Sequence, residues 1–175
     1  ISYENYMDLA EILTEREILT EIENDLAPEF KGKFTSRIIE LNNKAQEIIK
    51  KQLSIKSPDR EALDNFVSLE GFSDNVAVGI QDISNLFESL PLKEKRFSDL
   101  DVETQRLVRS SMLAMSEKPE IRNAIISLVP IDMMNDIAGR DFSADEFLND
   151  SSVLRDILTS DFDKLVSSGF FDSLI

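Results

Sequence analysis

Any chemistry in this chain would fall to carboxylates. Asp8, Glu11 and Glu15 recur along one side of a helical N-terminal segment, and Glu17 and Glu21 stand one turn apart on it. Two acids can share acid and base work when one stays protonated in an apolar pocket and the other ionised, as in glycoside hydrolysis. Helical carboxylates at such spacing can also hold a hard cation such as Mg²⁺. The competing reading is a solvated helix face, the usual place for acids on an exposed helix, and it is the favoured one. Sugar sites also present aromatic platforms, and the chain has no Trp and only two Tyr, both near its start.

Composition closes most other routes to catalysis. The chain has no His and no Cys. That removes Ser-His-Asp and Cys-His triads, zinc hydrolases, phosphotransfer through His, di-iron bundles built on Glu-x-x-His pairs, disulfides and thiolate metal sites. No pair of glycines lies near a Lys-Ser or Lys-Thr, so a phosphate-cradling loop is missing. The acid-rich stretch from Asp141 to Asp150 lacks the central Gly and terminal Glu of an EF-hand loop. A non-enzymatic protein without a cofactor is expected, with a carboxylate enzyme or Mg²⁺ site on the first helix as the alternative.

Charge is abundant and unevenly spread. The whole chain carries 34 acids against 19 bases, a net charge of −15. Residues 1–30 hold nine acids and one base, residues 31–60 three acids and eight bases, and the remainder is acidic again. In the basic segment Arg37, Lys44 and Lys51 recur every seven residues, a stripe that could face a nucleic acid or acidic lipid. Glu40 and Glu47 share the stripe, each four residues before a Lys, the favourable order for intrahelical pairs. Lys31, Lys33, Lys50 and Lys56 remain as the candidate nucleic-acid contact. The acidic first helix is their nearer neighbour, so intramolecular charge complementarity is expected and nucleic acid is disfavoured as a partner.

Helices must position all of these side chains. The chain has five Gly, five Pro, no Asn-Gly or Asp-Gly hairpin signal and no sustained β-branched alternation, which predicts an all-α fold. A first helix is expected from Glu4 to Leu26, with Tyr6, Leu9, Leu13, Leu19, Ile22 and Leu26 drifting around one face until Pro28 stops it. Phe34, Ile38, Leu41, Ala45 and Ile48 step by four, three, four and three, a seam suited to an antiparallel hairpin with the first helix.

Shorter elements follow. Ser57-Pro58 should open a third helix that buries Ala62, Leu63, Phe66 and Val67 and stops at Gly71. Val76, Ile80, Ile83, Phe87 and Leu90 define the face of a fourth, ended by Pro91. Ser98 or Asp101 should cap a helix to Met115 with Leu107, Val108, Met112 and Met115 inward. Pro119 and Pro130 start two more, the second closed by Gly139. Ser143 to Glu146 reads as a capping box, with Phe142 and Phe147 as its hydrophobic staple. Short helices are expected near Val153 to Leu158 and Asp161 to Val166. Phe-Ser precedes three of these starts, at Phe72, Phe97 and Phe142.

The C-terminal stretch is the candidate partner-binding segment. Phe162, Leu165, Phe170, Phe171, Leu174 and Ile175 alternate with acids, a texture similar to peptides that lay an apolar face in a groove. The competing reading is that they finish the core.

The architecture expected is a long N-terminal helical hairpin, about 1–56, packed beside a compact bundle of shorter helices, about 57–175, in one continuous domain. Its expected role is a protein-protein interaction or assembly module, such as a component of a virion or secretion apparatus, whose partner is another protein or its own copies. No run approaches the roughly eighteen apolar residues of a membrane span and no signal-peptide pattern appears. A soluble protein is expected, whether cytoplasmic, exported or virion-associated.

Overall fold

A computed structural model describes residues 3–53, 60–88, 90 and 96–174. Among these residues the regular structure is entirely helical. Ser57, Pro58, Lys56, Pro91 and Ile175 lie outside them.

Helices α1 (Tyr3–Asp25) and α2 (Thr35–Gln52) form the N-terminal antiparallel hairpin. The turn between them is shaped by Pro28, which opens a single 3-10 turn to Phe30, and by Glu23. The Glu23 carboxylate accepts hydrogen bonds from the backbone N–H of Gly32 and, at 3.2 Å, of Phe34. The N–H groups left unpaired as the chain turns toward α2 thus find an acceptor.

Eight shorter helices follow: α3 (Arg60–Val67), α4 (Phe72–Glu88), α5 (Val102–Met115), α6 (Pro119–Leu128), α7 (Ile131–Ala138), α8 (Ala144–Asn149), α9 (Ser151–Leu158) and α10 (Phe162–Ser167). Side-chain carboxylates or hydroxyls start four of them. Asp101 accepts from Thr104 N–H, Ser143 from Glu146, Asp150 from Ser152 and Asp161 from Lys164, each satisfying one of the free donors of a helix start. Gly139 closes α7 at φ 71°, where a side chain would be strained. Phe142 and Phe147 stack across the start of α8 with ring centroids 5.9 Å apart. Glu146, expected to complete a capping box, instead points its carboxylate at Arg140, 3.9 Å away.

The core is built around α6. Ile121 to Ser127, seven consecutive residues, are all buried, as expected of a helix enclosed on every side. Two features allow that enclosure. Gly79 of α4 lies so close to α6 that an added Cβ would stand 2.0 Å from the Glu120 carbonyl oxygen and 2.7 Å from Ala124 Cβ. Arg122 is buried yet supplied with acceptors, donating to the carbonyls of Ser116, Glu117 and Leu148 at 3.0 to 3.2 Å and so binding the ends of α5 and α8. One apolar cluster extends from Leu9 through Ala45 and Ile125 to Leu174. Phe72, Phe97 and Phe142, the aromatic halves of the three Phe-Ser pairs, all belong to it.

Three expected faces are corrected. The fully buried seam of α2 runs through Leu41, Ala45, Ile49 and Leu53, with Ile48 half-buried against the core beside it. Steps of four suit a straight helix resting on several neighbours, whereas a repeat of 3.5 needs a supercoiled pair. Leu107 is 61% exposed, because Gln105 takes the inward position on α5 and donates its amide to the carbonyls of Phe97 and Ser98. On α1, Ile22 is 43% exposed and Leu19 only half-buried. Beyond Arg16 this helix has outrun the core, and little besides α2 lies against it.

Candidate interaction surface

The C-terminal candidates turn inward. Gly169 reverses the chain at φ 86°, and the tail folds back so that Leu165, Phe170, Phe171 and Leu174 are fully buried. Phe171 stacks on Phe97 at 4.3 Å and meets Phe170 edge-on at 5.3 Å, while Asp172 accepts the Phe97 N–H at 2.9 Å. Phe162 is half-buried beneath the Arg109 guanidinium, 4.7 Å from its ring centroid. As folded, Leu165, Phe170, Phe171 and Leu174 complete the core, and Ile175 lies outside the described residues.

The acids of α1 are not enclosed. Asp8, Glu11, Glu15, Glu17 and Glu21 are all exposed. Glu15 holds Arg37 of α2 in a two-point grip at 3.0 and 3.1 Å. Among the described residues no three Asp or Glu side chains converge closely enough to hold a metal ion.

The basic segment faces α1 as its charge suggested. Arg37 lies between Glu15 and, at 3.2 Å, Glu40, and Lys44 reaches the same Glu40 at 3.2 Å. Hydrogen bonds with Glu15 first, then Glu40, raise the Arg37 pKa above its ordinary value. Those with Lys44 first, then Arg37, hold the Glu40 carboxyl below the usual carboxylate range. Lys31 donates to the Asn24 carbonyl at 3.5 Å.

A different surface emerges along α1. Leu9 and Leu41 are buried, but from Ala10 to Glu40 no residue is. Ile12 and Leu13 still pack against the core from the near part of α1, so the arm proper begins beyond Arg16 and runs to Glu40. Ile18 (52%), Ile22 (43%), Phe30 (57%) and Ile39 (54%) are exposed on it. Met7, Ala10, Thr14 and Ile18 line one shallow furrow on the outer side of α1.

Ala10 and Thr14 also border a trough of about 420 Å³ between α1 and α4, lined by Leu13, Ala77 and Val78. Polar ties cross it at both ends. The Tyr6 hydroxyl donates to Gln81 Oε1, and Arg16 Nη2 contacts both Asp74 oxygens at 2.7 Å while its Nη1 donates to Asn42 at 3.0 Å. Past the second tie a cleft of about 830 Å³ opens among α1, α2 and the α3–α4 turn, bordered by Glu17, Glu21, Gln46 and Glu70.

A sign of this surface was present in the sequence. The apolar positions of α1 drift round the helix instead of holding one stripe, which happens when a helix has apolar residues on two sides.

No protein-family model, curated protein or solved structure matches this chain. Among the described residues no helix is long and apolar enough to cross a membrane.

Proposed function

We propose that the protein is a non-enzymatic helical interaction module that binds another protein through the outer surface of its N-terminal hairpin. One observation carries this reading: the arm from Glu17 to Glu40 has no fully buried residue and yet exposes Ile18, Ile22, Phe30 and Ile39. Single exposed apolar residues are ordinary on any surface. Four on one arm, with Ile18 and Ile22 one turn apart on α1 and Ile18 lining a furrow, are the pattern of a helix-docking surface. Ordering the 24 residues from Glu17 to Glu40 beside the core also costs conformational entropy that the exposed ion pairs of the arm offset only weakly.

The test compares the full chain with a triple variant, Met7→Gln, Ile18→Gln and Ile22→Gln. These side chains are exposed, so the variant should keep its helicity and urea midpoint. It should lose the proteins that the wild type retains in quantitative affinity capture. An identical retained set would sink the proposal.

A further inference from the structure

We infer that the channel along α1, formed by the trough against α4 and the cleft beyond Arg16, receives a cationic amphipathic helix from another protein. The inference rests on the reading of the hairpin as a docking element and names the chemistry of what docks. Its first support is shape. Ala10, Leu13, Ala77 and Val78 give the trough an apolar lining, and the small side chains at Ala10 and Ala77 let a helix approach closely. A helix seated over the Tyr6–Gln81 and Arg16–Asp74 ties, which bridge α1 and α4, would follow α1 from Tyr6 to Glu21 for about 22 Å, the length of roughly four helical turns.

The second support is charge. Helices α1 and α4 together carry eleven acids and a single base, Arg16. That base is already occupied by Asp74 and Asn42. Glu17 borders both halves of the channel, with Asp82 at the α4 wall and Glu21 and Glu70 around the cleft. A helix whose apolar stripe rests on this lining would carry Lys or Arg on its flanks to these carboxylates. Complementary charge of this kind steers the encounter and rejects partners of the wrong sign. A second copy of this chain fits poorly, since packing α1 on α1 sets acid against acid, and in α2 Arg37 and Lys44 already hold Glu15 and Glu40.

Fluorescence anisotropy on the full chain tests the inference with two labelled helical peptides that share one leucine stripe and differ only in Lys or Glu flanks. The Lys peptide should bind, losing roughly tenfold or more in affinity on passing from low to high salt, where exposed charges are screened. The Glu peptide should not bind. The reversal variant Glu17→Lys, Glu21→Lys and Asp82→Lys, with helicity confirmed, should lose the Lys peptide by a similar factor and gain the Glu peptide.

Equal binding of both peptides, failure of the Lys peptide to bind, or indifference to the reversal would overturn the inference. Self-association that the Ile18→Gln and Ile22→Gln changes abolish would also overturn it, while leaving the hairpin as the docking element. If the Lys peptide obeys the charge reversal and the triple variant retains every captured protein, the channel stands and the wider reading of the arm fails.

Discussion

Seven consecutive residues of α6 are buried, whereas from Ala10 to Glu40 the hairpin has no buried residue at all. Both regions are regular helix, but different forces hold them. Burying one large aliphatic side chain stabilises a fold by about 1.5–3 kcal/mol, and α6 does this with Ile121, Ile125 and Ile126 in a single short element. The arm relies on an exposed grip of Arg37 on Glu15, the Arg16–Asp74 tie and the clasp of Glu23 on its turn. Exposed pairs of this kind contribute about 1 kcal/mol or less each. A helix in the core is specified by what surrounds it, while a helix in the arm keeps surface to offer.

The sharpest way to break this contrast is to remove what surrounds α6. A chain ending at Ser168 lacks Phe170, Phe171 and Leu174 and should lose cooperative thermal unfolding altogether. The milder Phe171→Ala change should cost about 3–5 kcal/mol in urea denaturation, the usual range for a fully buried phenylalanine. A change near zero would mean that the tail is a detachable segment after all.

Gly79→Ala probes the same core from the α4 side. Alanine is the better helix former by about 1 kcal/mol, but its Cβ would collide with the Glu120 carbonyl. The helices must then part, and a net loss of about 2 kcal/mol is expected. Stabilisation would show that α4 and α6 can slide without loss.

In the arm, Ile18→Gln with Ile22→Gln should shift stability by no more than about 0.5 kcal/mol. A large drop in the urea midpoint would mean that these side chains are packed and that the arm is part of the core.

The smallest expected effect is one of pH. Glu40 titrates below the usual carboxylate range because Lys44 and Arg37 bond its ionised form. Its contribution is therefore complete above the unfolded carboxylate pKa and fades as pH falls through the lower, folded one. Isoleucine methyl resonances of Ile39 should move on acidification in the wild type and much less in Glu40→Gln, with those of Ile125 steady in both. Equal movement in the two proteins would show that the Glu40 pairs do nothing for the arm.

Local signals in the sequence were read well, and for a physical reason. A cap, a proline start or a left-handed glycine needs only its neighbours, so Asp101, Ser143, Asp161, Pro119 and Gly139 were each legible at their own positions. Faces were harder, because periodicity shows where apolar residues lie and not whether anything covers them. Ile22, inward by its spacing, stands in the open, and of the two readings that the tail allows, docking surface or core, Leu165, Phe170, Phe171 and Leu174 follow the core. Gln105 displaced Leu107 because a polar side chain can hold a core position when backbone carbonyls await it. Gly79 sits in mid-helix, where only the neighbouring backbone explains its presence.

Arg16 joins α1, α2 and α4 by hydrogen bonds to Asn42 and Asp74, and it sits where the arm leaves the core. Mechanically it is a fulcrum. A load applied at the tip, about 14 Å further along α1, is passed through Asp74 into α4. At Gly79 that helix lies directly on the backbone of α6 with no side chain between them. A load on the arm would therefore run from α1 through the Arg16–Asp74 pair and α4 to α6 at the centre of the molecule.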